Sequence, residues 1–183
     1  MKTLLVTALF LFAVSPLLRA QSTRLPVVSG SPNYPTHDII DQAHHSKDHT
    51  TLLGVIQAAG LTETLKGTGP FTLFAPTNDA FNKLPPDARE RLLQPGSKSA
   101  AADLLRYHLV PGRLSANDMQ KIIEEGNGVA IIKTLNGGKL TVSQDGDRLK
   151  LTDETGRSAH FILTDVYQKN GIVHTIDTVL VTN

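Results

Sequence analysis

Phe71-Thr72-Leu73-Phe74-Ala75-Pro76-Thr77-Asn78-Asp79-Ala80-Phe81 is the stretch whose reading decides the fold. Its first half alternates: Phe71, Leu73 and Ala75 face one way and Thr72 and Phe74 the other, the period of a strand. Pro76 has no amide hydrogen to give a ladder and ends that strand. Thr77 then stands where a helix N-cap belongs, its hydroxyl able to accept from amides two or three residues on. Asp79 falls in the first helical turn, where a carboxylate suits the helix dipole, and Phe81 turns back to the core. A strand, a stop and a capped helix are thus packed into eleven residues.

Two further stretches stand in a fixed order behind it: Tyr107-His108, and Gly171-Ile172-Val173-His174-Thr175-Ile176-Asp177-Thr178-Val179-Leu180. Together the three resemble the signature motifs of the fasciclin-like (FAS1) domain family, over about Tyr34 to Thr182. The resemblance implies an α+β fold, a wedge of two antiparallel β-sheets flanked by several helices. It implies structural roles for Phe71, Thr77, Asn78, Phe81, His174 and Asp177. In animal relatives the tyrosine–histidine region is tied to integrin-dependent adhesion, which nominates Tyr107, His108, Leu109 and Val110 as a partner-binding edge.

The chain has 183 residues, enough for one domain of ordinary size. Lys2 followed by the apolar run Leu4–Leu18 and the small residue Ala20 reads as a signal peptide over residues 1–20. The run is shorter than the roughly 20 residues that a membrane span needs, so no span is expected after cleavage. Residues 21–35, rich in Ser, Pro and Gly, read as a flexible leader, and residues 36–183 as the domain. Without Lys2 and Arg19 the formal charge passes from +1 to −1, with both signs interspersed, which gives no footprint for nucleic acid. Cysteine is absent and no Asn-x-Ser/Thr acceptor occurs, which fits an exported bacterial protein, periplasmic or extracellular.

Outside the strand at Phe71–Pro76 and the short apolar Leu109-Val110, the period from Thr36 to Gly126 is helical. Thr36 is placed to cap a first helix with Ile39, Ile40 and Ala43 inside, and Leu52, Leu53, Ile56 and Ala59 mark a second that stops at Gly60. Pro85-Pro86 opens another with Leu92 and Leu93 inward, Pro95-Gly96 breaks it, and Ser97–Tyr107 follows. Ser115 and Asp118 have capping-box spacing for a helix carrying Met119, Ile122 and Ile123. From Val129 the period becomes two, with turns at Asn136-Gly137, Asp145-Gly146, Asp153–Gly156 and Asn170-Gly171, and a last strand at Val179–Val181. Helices first and strands later argue α+β.

Few groupings suggest chemistry. Asp41, His45 and His49 share a face if one helix carries all three, a geometry able to hold a metal, but a break near Ser46 scatters them. His174 lies on the parity of Ile172 and Ile176, the place of a neutral core histidine with a backbone or hydroxyl partner. There is no Gly-x-Ser-x-Gly elbow, and Gly67-Thr68-Gly69-Pro70 lacks the lysine of a phosphate loop. The expectation is an exported, non-catalytic binding module without cofactor, its partner a protein or polysaccharide of the cell envelope or matrix. The alternative is a periplasmic small-molecule or metal-binding protein that uses the early histidines or a pocket between sheet and helices.

Overall fold

The computed structural model describes residues 36–94 and 96–182. The expected signal peptide and leader (1–35) and the break at Pro95 lie outside them. The described chain opens with α1 (Ile39–His45), a 3-10 turn (Lys47–His49), α2 (Thr50–Ala59) and α3 (Thr62–Lys66). Strand β1 (Phe71–Pro76) runs into α4 (Asn78–Asn82), α5 (Pro86–Leu93), α6 (Lys98–Tyr107), β2 (Leu109–Pro111) and α7 (Ala116–Glu125). Strands β3 (Val129–Lys133), β4 (Lys139–Asp145), β5 (Arg148–Thr152), β6 (Ser158–Gln168) and β7 (Gly171–Ile176) complete it. The architecture is α+β, as the sequence pattern implies.

The strands lie in the order β2-β1-β7-β6-β5-β4-β3. β6 serves two half-sheets: its start pairs with β5 and its remainder with β7. Two breaks of register along β6, between Phe161 and Leu163 and between Leu163 and Val166, bend it. The sheet departs from the expected antiparallel pattern at one pair. β1 runs parallel to β7, with Phe74 opposite His174. The long helical crossover between them permits this, whereas hairpins account for β3 to β7.

Two cores result, one on each side of β1. Leu73 and Ala75 join helix residues such as Ile39, Leu52, Ile56 and Leu105, while Phe74 joins Met119, Leu140, Leu151, Phe161 and Ile176. The alternation read in Phe71–Ala75 is therefore correct, but both faces are covered. Thr72 is buried too, its hydroxyl donating to Gly112 O at 2.8 Å and accepting from Leu114 N at 2.9 Å.

Local signals place most elements. Thr77 caps α4, its hydroxyl accepting from Ala80 N at 3.1 Å, and Gly60 ends α2 in the left-handed region at φ 67°. Ser115 and Asp118 form the capping box of α7. Thr77→Ala is expected to cost about 1 kcal/mol, read as a lower urea midpoint at unchanged slope; an unshifted midpoint removes the cap from the account.

Three expectations need correction. The cap of α1 is Asp38, not Thr36: Asp38 Oδ1 accepts from Ile40 N and Asp41 N, and Asp41 returns the contact to Asp38 N. Leu93 is 44% exposed and α5 holds no fully buried residue, so only Leu92 packs on the core. Val179–Val181 is not a strand: Val179 and Leu180 are buried, but the amides of Leu180 and Val181 bond to side chains rather than to a ladder.

Candidate functional site

The tyrosine–histidine pair ends α6 and lies inside the protein. Tyr107 is fully buried; its hydroxyl donates to Lys139 O at 2.9 Å and accepts from Glu154 N at 3.2 Å. Its ring lies against Gly138, where an added Cβ would stand 2.7 Å from the ring edge. His108 donates from Nδ1 to Leu104 O at 2.8 Å and accepts at Nε2 from Leu180 N at 3.1 Å. Burial pushes its imidazole down to about 4, against the smaller upward pull of the Leu104 carbonyl and Asp153.

Leu109 and Val110 are only 2% and 4% exposed, in strand β2 against β1. The nominated edge of Tyr107, His108, Leu109 and Val110 therefore presents no side chain to a partner. Past β3, the Leu135 amide donates to Leu109 O at 2.8 Å and draws the two end strands of the sheet together. The physical reason is plain: Tyr107 ties α6 to Lys139 and Glu154, and His108 ties it to the C-terminal segment through Leu180.

His174 joins a second set. Its Nδ1 accepts from Asp165 N at 3.2 Å and its Nε2 donates to Leu114 O at 2.8 Å, which fixes the neutral Nε2–H tautomer. Phe74 stacks on the ring at 5.8 Å, and Phe161 meets it edge-on at 5.7 Å. Asp165 sits in the β6 bulge at φ 60°, unusual for a residue with a side chain. Its Oδ1 accepts from Ala116 N at the start of α7, so bulge, helix and histidine form one joint.

The remaining motif residues also face inward or hold neighbours. Asn78 caps a helix other than its own: Oδ1 accepts from Thr51 N and Thr50 Oγ1, and Nδ2 donates to Lys47 O. This supplies α2, which His49 leaves without a side-chain cap. Phe71 packs against the first core and Phe81 is buried in it. Asp177 accepts from Thr178 Oγ1 in the bend and from His160 N on β6, each at 2.9 Å. His160 in turn contacts Asp145 at 3.0 Å, and hydrogen bonding to it, with Lys150 nearby, holds the Asp145 carboxyl below its ordinary range.

The early histidines do not gather. His45 bonds back to Asp41 O, whereas His49 lies on the separate 3-10 turn with Nδ1 2.7 Å from Ser46 Oγ. Among the described residues no group of three histidines or carboxylates is disposed to hold a metal ion. The Ser46–His49 contact has the atoms of a nucleophile and a base, but no carboxylate bonds the imidazole. Ser46 instead caps the turn by accepting from Asp48 N.

Asn170 and Asp153 were hidden in the sequence as turn residues. Asn170 Oδ1 accepts from Ile39 N, and its Nδ2 donates to Leu65 O and Gly67 O. Asp153 Oδ1 holds its own turn through Thr155 and Arg157, and Oδ2 accepts from Val181 N. The Asn-Gly and Asp-x-x-Gly patterns signalled bends, and nothing local signalled the distant partners.

Comparison with known proteins accords with this frame. The Fasciclin domain model matches residues 47–182. The Synechocystis protein sll1483 is 36% identical over 154 residues, covering 84% of this chain and 78% of that protein. Pig transforming growth factor-beta-induced protein ig-h3 is 35% identical over 146 residues, which span 80% of this chain but 19% of that protein. A FAS1 domain pair from the insect cell adhesion molecule Fasciclin I superposes with a TM-score of 0.73 at 19% identity, over 80% of this chain and 51% of that one. Strand, capped helix, buried tyrosine–histidine corner and core histidine all meet in one fold, and the chain belongs to the fasciclin (FAS1) domain family.

Proposed function

We propose that this chain is an exported, non-catalytic binding module for cell adhesion or for contact with the cell envelope or matrix. Its organisation is a signal peptide (1–20), a leader (21–35) and one domain (36–183), and its partner is a protein or polysaccharide. The observation that carries this reading is the use of the polar residues. His108, His174, Asn170 and Asp153 each spend their hydrogen-bonding atoms on the protein's own backbone, and contact surface is what remains. The likeness to a domain pair of an insect cell adhesion molecule supports it. Among the described residues, no helix is long and apolar enough to cross a membrane.

The contact surface belongs on the outer face of β3 rather than on β2. Val129 is 46% and Ile131 is 67% exposed, two residues apart on one face of that strand. Beside them run rows of small polar side chains, with Ile131 opposite Thr141 and Thr141 opposite Thr152. An apolar edge bordered by hydroxyls suits a peptide or a glycan. In a strain deleted for this chain, surface adherence should fall and the wild-type gene should restore it. Ile131→Glu, once circular dichroism shows that it folds, should not restore it. Normal adherence of the deletion strain sinks the reading, and full rescue by Ile131→Glu moves the contact elsewhere.

A further inference from the structure

Strand β3 ends the strand order, and one hydrogen bond tells which way its backbone faces. Thr134 N donates to Gly138 O at 3.0 Å, one step beyond the Lys133–Lys139 pair of the β3–β4 register. Opposed residues of an antiparallel pair alternate between those that bond across and those that do not. Ile132 and Ala130 therefore turn their backbone groups to β4, and Lys133, Ile131 and Val129 turn theirs away from it. Leu135 keeps the alternation, its amide donating outward to Leu109 O at 2.8 Å.

Both ends of that outer edge are occupied. Leu109 closes it at Leu135, and the end of α7 closes it at Val129, whose amide reaches Gly126 O at 3.4 Å. Between them, the outward amides and carbonyls of Ile131 and Lys133 meet no partner among the described residues. Both residues are exposed. The window offers two donors and two acceptors at the spacing of a strand, ready to pair with another chain.

We propose that this window binds an extended segment of a partner protein as an added antiparallel strand, with an acidic residue opposite Lys133 and an apolar one opposite Ile131. The inference rests on the contact proposed at β3 and makes its partner a polypeptide, since a glycan lacks the alternating amides and carbonyls that fill a strand edge. Charge selects the acid. Lys133 stands directly opposite Lys139, an unfavourable pairing of like charges. Neither ammonium has an ion pair among the described residues, and the Glu154 carboxylate is spent on Lys139 N. A carboxylate brought beside Lys133 relieves the pair. The occupied ends select a loose segment over a second copy of this chain. A segment can bend away past Lys133 and Val129, whereas a copy pairing through its own β3 would drive its α7 end into the corner of Leu109 and Leu135.

Amide NMR with hydrogen exchange on the full chain tests this, with acetyl-Ser-Thr-Glu-Ser-Val-Ser-Thr-amide as the probe. Without peptide, the amides of Ile131 and Lys133 should exchange about tenfold faster, or more, than those of Ala130 and Ile132. The peptide should bind saturably and slow the first two about tenfold. Methylating its valine nitrogen removes the donor to Ile131 O and should weaken binding about tenfold. Methylating the serine nitrogen between glutamate and valine, which points away from β3, should leave binding unchanged. Lys133→Glu, once circular dichroism shows that it folds, should prefer the peptide with lysine in place of glutamate. Slow exchange at Ile131 and Lys133 in the unbound chain overturns the proposal, as does protection that grows with protein concentration alone. So does absence of saturable binding, or equal effects of the two methylations. Any of these beside lost adherence in Ile131→Glu keeps the β3 contact and discards strand addition; binding as expected beside normal adherence of the deletion strain keeps strand addition and discards the adhesive role.

Discussion

Replacing Asn170 by alanine is expected to lower stability by about 4 kcal/mol, since it strands three backbone groups at roughly 1–3 kcal/mol each. The amide side chain is 4% exposed and sits where three segments meet. It accepts from Ile39 N in the first turn of α1 at 3.1 Å and donates to Leu65 O and to Gly67 O at the end of α3. Those carbonyls belong to a helix end, which has no other ladder to use. The backbone is equally committed: Asn170 O accepts from Phe71 N at 3.0 Å and so starts β1 on β7. Gly69 passes close by at φ 57°, where a Cβ would lie 2.2 Å from that oxygen, so the approach requires glycine. Asn170→Asp should be nearly as damaging, because it keeps an acceptor for Ile39 but turns a carboxylate toward two carbonyls. Urea unfolding followed by circular dichroism measures both; a loss under about 1 kcal/mol for Asn170→Ala would show that water replaces the amide and that the joint is dispensable.

What the sequence revealed is what is local. A hydroxyl before a helix, a capping box at Ser115 and Asp118, and Gly60 after α2 each act over three or four residues, so they can be read where they stand. His174 was legible because parity alone put it between Ile172 and Ile176. The first helix shows how even local signals compete. Thr36 and Asp38 both offer an oxygen, and Asp38 wins because Asp41 stands three residues on to close the box while Ile39 and Ile40 are buried.

What was not legible depends on distance in sequence. Val179–Val181 is apolar like a strand, yet its amides are claimed by His108 and Asp153, side chains from other segments. The parallel union of β1 and β7 joins residues about a hundred apart, and no turn announces it. The same limit governs the site. Tyr107 and His108 were nominated as a surface edge because a motif says that residues recur together and not which way they face. Inside the fold they are the place where α6, the β3–β4 turn and the C-terminal segment are tied.

That internal position sets the response to acid. His108 and His174 hold opposite neutral tautomers, and each offers its unprotonated nitrogen to a backbone N–H, Leu180 for one and Asp165 for the other. A second proton on either ring would point donor at donor in a buried setting. For His108, burial lowers the pKa from 6.5 to about 4; for His174 burial again dominates and lowers it, the Leu114 carbonyl and Asp165 opposing. The unfolded chain therefore binds these protons first as the pH falls. Stability is whole above pH 6.5 and declines as the pH drops toward 4, where His108 itself becomes protonated in the fold. That interval is worth about 3 kcal/mol for His108 alone. Urea unfolding at pH 7 and at pH 4.5 should show most of this loss, since pH 4.5 stops short of the folded-state value. His108→Gln keeps a donor and an acceptor without a titrating ring, so it should start less stable but lose visibly less between the two conditions. Nitrogen NMR should show the His108 ring still neutral at pH 5.5. A stability that does not change over this range, or a His108 ring that protonates near 6.5 in the native state, would mean that the corner opens to water.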